Sequence, residues 1–149
     1  MGMIDVSKKK ETERRAKAQA IVQLKEGLIE RIKEGRIEKG GVLEQAKVAG
    51  ILAAKKTPEL IPLCHPLRIT GIDISFSFID GGIRVLAEVW GTERTGMEME
   101  ALVACAVSAL TIYDMCKMYD KSIEITELLL LEKSGGKSGD FRRHIDDKR

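Results

Sequence analysis

The chain has 149 residues, 44% of them hydrophobic, the size of one ordinary domain with a real core. Charged residues make up 32% and nearly cancel at +2, which excludes a bulk field able to hold nucleic acid or an anionic membrane, so any basic site has to be local. No leader-like segment and no apolar run that reads as long enough to span a bilayer stands out, and a cytoplasmic protein without membrane or nucleic-acid partners is expected.

In chain order, "RRAKAQAIVQLK" suits either a strand or a first helical turn, with strand preferred. "EGLIERIKEGRIEKGG" reads as a short amphipathic helix stopped by Gly35. In "GGVLEQAKVAGILAAKK" the residues Val42, Leu43, Ala46, Val48, Ala49, Leu52 and Ala53 recur at helical spacing, and Thr57-Pro58 ends the helix. From Ile72 to Phe78, Ile72, Ile74, Phe76 and Phe78 alternate with Asp73, Ser75 and Ser77, the period of a half-buried strand. Asp80-Gly81-Gly82 supplies turn chemistry and Ile83, Val85, Ala87 and Val89 alternate again, which makes a hairpin. "GMEMEALVACAVSALTIYDMCKMY" is a helix apolar nearly all round, so it needs cover on more than one side and a second subunit is a reasonable expectation. Ile123 to Leu131 is a closing strand. Strand, helix, strand, strand, helix, strand is the split βαβ pattern of ferredoxin-like α+β domains, an antiparallel sheet with helices on one face. The stretch 1–149 is read as a single domain with polar, mobile ends at about 1–12 and 134–149.

"IPLCHPL" sets Cys64 and His65 between two prolines in a chain with only two histidines. A residue before proline is pushed out of the α region, so Ile61 and His65 should be extended and the segment stiff. That suits a presented ligand-binding histidine as well as a rigid crossover. Adjacent residues of an extended segment point to opposite sides, which argues against a metal site or a Cys–His nucleophile pair there. Cys64, Cys105 and Cys116 form no CxxC pair and are odd in number, so reduced thiols and no structural metal are expected.

Thr111, Asp114 and Lys117, three residues apart on the apolar helix, form a polar stripe. They are either a helix-terminal ion pair or an acid/base lysine held by burial and oriented by a carboxylate. Glu100 precedes Asp114 by fourteen residues, about 21 Å along a helix, so the two cannot meet one substrate atom within one subunit. "KSGGKSG" fails as a P-loop, because the position that needs its first glycine is Leu131. The glycines with Lys133 and Lys137 either cradle a polyphosphate or are simply flexible. Arg14 and Lys39 are further cations that could join them.

"LIPLCHPL", "GMEMEAL", "ALTIYDMCK" and "KSGGKSGDF", in this order and spacing, closely resemble the molybdenum cofactor biosynthesis protein C family, from about Asp5 to Phe141. The resemblance implies a cyclic pyranopterin monophosphate synthase. Such an enzyme rearranges 3′,8-cyclo-7,8-dihydroguanosine 5′-triphosphate, supplied by a radical-SAM enzyme, and releases pyrophosphate. It implies a homohexamer, a trimer of dimers with active sites between subunits. The sequence itself requires no cofactor, with Mg²⁺ accompanying the triphosphate as an option. By position it makes Asp114 and Lys117 catalytic, with His65 a proton carrier. Leu63, Cys64, His65, Met99, Glu100 and Glu98 bind substrate, and Lys39, Lys133, Lys137 and Arg14 serve the triphosphate or the reaction. The family often has Lys-Gly-Asp where this chain has Lys39-Gly40-Gly41, which removes a side chain able to cap the next helix. The competing class is an RNA-binding ferredoxin-like module, but such modules stack bases on sheet aromatics, and aromatics are only 4% here.

Overall fold

The structure is a computed structural model in which residues 1–144 are described. Its elements are β1 (Thr12–Gln23), α1 (Glu26–Lys33), α2 (Val42–Lys55), α3 (Thr57–Leu60), β2 (Gly71–Ile79), β3 (Gly82–Glu93), α4 (Glu98–Cys116), β4 (Glu124–Ser134) and β5 (Phe141–Arg142). The five strands form one sheet in the order β2-β3-β1-β4-β5, every neighbouring pair antiparallel. The first four strands carry the ferredoxin-like arrangement that the element order predicts.

Alternation decides which face is covered. Ala16, Ala18, Ala20 and Val22 of β1 and Ile83, Val85, Ala87 and Val89 of β3 are all at most 1% exposed, and α4 lies across both strands. The alanines at the centre of the sheet let that helix sit close, while the branched residues of β3 fill the flank. α2 packs beside α4 and reaches β2. A Cβ at Gly50 would collide with Ser108 Oγ, Ile74 Cδ1 and Ala104 O, so only glycine permits this approach. Ser108 is fully buried and its hydroxyl donates to Ala46 O at 2.8 Å, tying the two helices by a polar bond inside the apolar layer.

Three details depart from the sequence expectation. Phe78 is 37% exposed although it shares the face of Ile74, because it lies near the end of the edge strand; Lys33 covers its ring at 5.0 Å. Contrary to the expectation that no run is long enough to span a bilayer, α4 meets that test by length and composition. More than half of it is buried inside the fold, so it is a core helix. Finally, the tail does not simply trail away: Gly135 and Gly136 take φ of +94° and +87°, and β5 pairs Phe141 with Lys133 and Arg142 with Glu132. The last part of the expected mobile tail, 145–149, lies outside the described residues.

Candidate active site

The loop after α3 is stiff, but not extended throughout. Ile61 is extended, with φ −112° and ψ 105°, as a residue before proline should be. The chain then turns over Pro62 and Leu63, and the Cys64 N–H closes the turn on Ile61 O at 3.1 Å. Leu63, Cys64 and His65 all line one cavity of about 310 Å³, and Glu98, Met99 and Glu100 from the start of α4 form another of its walls.

The acids sit in the first turn of α4, where the helix dipole favours negative charge. Glu98 pairs with Lys133 of β4 at 2.7 Å. Glu100 is only 3% exposed, and burial, with a smaller contribution from the nearby Glu98, pushes its carboxyl up to about 7. Cys64 is raised as well, first by burial and then by the charges of Glu100 and Glu98, so it is held as a thiol and not as a nucleophilic thiolate. The cavity therefore offers a carboxyl poised between its two protonation states beside an apolar and thiol lining.

A second cluster lies at the other end of α4. Asp114 takes Lys117 Nζ on Oδ1 at 3.0 Å and Lys39 Nζ on Oδ2 at 3.2 Å, and Lys39 also donates to the Asp114 carbonyl at 2.9 Å. These contacts hold the Asp114 carboxyl below its ordinary value, the Lys117 bond being the largest cause and the Lys39 bond the next. The side chains of Asp114 and Lys117 are 57% and 52% exposed in the chain, so the buried lysine of the acid/base reading is not found within it. Thr111, the third member of the stripe, turns its hydroxyl back to Val107 O at 2.7 Å. Lys39 reaches the cluster because its loop is pinned: the Glu38 N–H donates to Tyr119 Oη at 2.8 Å. Gly41 caps α2 without a side-chain bond, as its missing aspartate implies.

Arg14 joins the Gly-rich turn instead. Its guanidinium donates to the carbonyls of Glu93 and Arg94, each at 3.2 Å, and occupies the space that a Cβ on Gly136 would need. Lys137 is exposed in that turn and, among the described residues, forms no ion pair. The chain thus brings Leu63, Cys64, His65, Glu98, Met99, Glu100 and Lys133 together and sets Lys39, Asp114 and Lys117 apart from them. A larger cleft of about 670 Å³, lined by Lys25, Asp80 and Asp120 among others, holds none of these residues. Sequence reasoning missed the arm before β1: Gly2, Ile4, Val6 and Lys9 line the cavity, and His65 Nε2 bonds to Ile4 O at 2.7 Å. The bonding atom is a backbone carbonyl, so no residue type could have signalled it.

An antiparallel α+β sheet that sets an acid-lined cavity at one end of its central helix, and a carboxylate gripped by two lysines at the other, defines a small-molecule enzyme. A nucleic-acid reader would present aromatics on the open sheet face, but Trp90 there is covered by Arg15 at 4.6 Å. Residues 3–136 match the MoaC family, and the chain belongs to that family. It is 54% identical over 142 residues to the cyclic pyranopterin monophosphate synthase of Brevibacillus brevis, covering 95% of this chain and 89% of that one. Against the enzymes of the same name from Thermoanaerobacter pseudethanolicus and Listeria innocua it is 52% identical, with 96% and 94% of this chain and 92% and 88% of theirs covered.

Proposed function

We propose that this chain is a cyclic pyranopterin monophosphate synthase of molybdenum cofactor biosynthesis, which converts 3′,8-cyclo-7,8-dihydroguanosine 5′-triphosphate to cyclic pyranopterin monophosphate and pyrophosphate. The family match along nearly the whole chain supports the reaction. The observation within the fold that carries it is the Asp114 carboxylate held between Lys39 and Lys117.

Closing the cyclic phosphate forms a bond from a ribose hydroxyl oxygen to the α-phosphorus and breaks the bond to pyrophosphate, while the hydroxyl proton passes to a base. Charge grows on the leaving oxygens, and Lys39, Lys133, Lys137 and Arg14 are the cations assigned to it. Rearranging the ring needs several proton transfers, for which Lys117, oriented by Asp114, and His65 are the carriers. Leu63, Cys64, Met99, Glu98 and Glu100 hold the ring portion in the cavity. Any Mg²⁺ travels with the triphosphate as part of the substrate, and no resident cofactor enters the reading.

The active unit in this reading is a homohexamer with sites between protomers. Three observations support it. Glu100 and Asp114 are about 21 Å apart along one helix. Val48, Leu52 and Leu110 of the helix layer are each more than half exposed. On the open sheet face, Gln19 Oε1, Arg84 Nε and Thr126 Oγ1 are buried without a partner in the described protomer. A cytoplasmic location and supply of substrate by a radical-SAM enzyme complete the proposal.

The test is anaerobic incubation with enzymatically prepared substrate, following pyrophosphate release and the fluorescent pterin formed on oxidation. Both products appear together if the reading is right; a folded oligomer that forms neither refutes it.

A further inference from the structure

The arm before β1 is almost wholly exposed and gives nothing to the buried core. It is nevertheless placed. The Ser7 N–H donates to Asp5 Oδ1 at 2.8 Å, the Lys9 N–H donates to Val6 O at 3.0 Å, and this double turn carries Ile4 onto the Leu63–His65 loop. There the arm forms one wall of the cavity whose other walls are that loop and the first turn of α4.

The contact fixes a chemical state. A carbonyl oxygen only accepts, so His65 Nε2, 2.7 Å from Ile4 O, must carry the proton. In the neutral ring that leaves Nδ1 as the only nitrogen able to take one. Asp5, adjacent in sequence to that carbonyl, is tied into the arm, its carboxyl held low chiefly by the Ser7 backbone N–H. A ring nitrogen held on a fixed acceptor is the arrangement by which proteins set the tautomer of an imidazole.

We infer that the Gly2–Lys9 arm is part of the active site, and that the Ile4 carbonyl is the positioning group holding His65 as its Nε2–H tautomer, with Nδ1 as the proton acceptor. The arm is also the movable wall. Held by hydrogen bonds and not by core burial, it can open without disturbing the core. The inference rests on the synthase reading for its catalytic meaning, though not for its geometry.

The test has two readouts that need no turnover. In the intact protein, nitrogen-correlated NMR shows a slowly exchanging His65 ring proton on Nε2, with His144→Gln separating the two histidines. Deleting Gly2–Ser7 removes that resonance. The same deletion speeds maleimide labelling of Cys64 by about tenfold or more, as expected when local opening becomes the ground state. Cys105 and Cys116 serve as internal controls, fully buried and pushed up to about 12 and about 11 by burial. Turnover by the deletion falls roughly a hundredfold, mainly in kcat, the cost of a misplaced catalytic group. A ring proton on Nδ1 in the intact chain overturns the inference without any variant. So does a deletion that leaves both the ring proton and the thiol rate unchanged, whatever its activity. If both readouts behave as stated but the intact protein does not consume the nucleotide, the arm contact stands and the synthase reading falls.

Discussion

Asp114 is approached by two ammonium groups from different elements, Lys39 from the loop before α2 and Lys117 from the end of its own helix. A pair three apart on a helix was legible in the spacing; the third member was not, because seventy-five residues separate Lys39 from Asp114 and only folding joins them. Lys117→Ala should abolish turnover while leaving the assembly state unchanged, checked by pyrophosphate release alongside sedimentation. Asp114→Asn should lower kcat by roughly 10²–10⁴ as the lysine loses its orienting charge. Glu100 gives a stability prediction with a definite sign. Its carboxyl rises from the ordinary 4.5 to about 7 in the fold, so between those values the native state binds more protons than the unfolded chain. Stability of the ligand-free protein should therefore fall as pH rises from about 4.5 to 7, by on the order of 3 kcal/mol from this group. Glu100→Gln should flatten that slope, and denaturant melts at pH 5 and pH 8 decide it; an unchanged slope removes Glu100 as its source.

At the scale of elements, α2 and α4 are matched to each other by absence as much as by contact. Gly50 leaves room for the Ala104 carbonyl, and Ser108 spends its hydroxyl on Ala46. The helical spacing of the α2 segment was plain in its sequence, but a mid-helix glycine reads there only as a weakness, and its use as a close-approach point needs the partner helix to be known. Gly50→Val should destabilise the protein by about 1–3 kcal/mol through overpacking, seen as a lower denaturant midpoint. Gly136→Ala acts differently. Its φ of +87° and the Arg14 guanidinium beside it both oppose a side chain, yet the turn is exposed and outside the core. The expected result is a raised KM with little change in melting, because the loop and Arg14 are displaced while the sheet is not.

For the whole molecule, the proposed hexamer would join the groups at opposite ends of α4 from different chains, and that makes assembly testable through catalysis. If a pocket takes Glu100 from one protomer and Lys117 from its neighbour, inactive Glu100→Ala and Lys117→Ala proteins should regain activity when unfolded and refolded together. Random mixing leaves roughly a quarter of the sites with both native halves. No recovery in mixed oligomers would place each site within one chain. By itself the sequence determined the antiparallel α+β fold, the strand alternation and the core helix, and it named side chains that the fold places in the cavity and around Asp114. Those features are local: a period of two or 3.6 residues, a proline's effect on its neighbour and a glycine's freedom all act within a few positions of the chain. Only the tertiary structure decided that Lys39 grips Asp114, that Lys133 meets Glu98, that Arg14 fills the space above Gly136 and that a backbone carbonyl fixes His65. Each of these is a contact between residues tens of positions apart, and its existence depends on how the β-turn at Leu63, the sheet register and the end of α4 fall together in space.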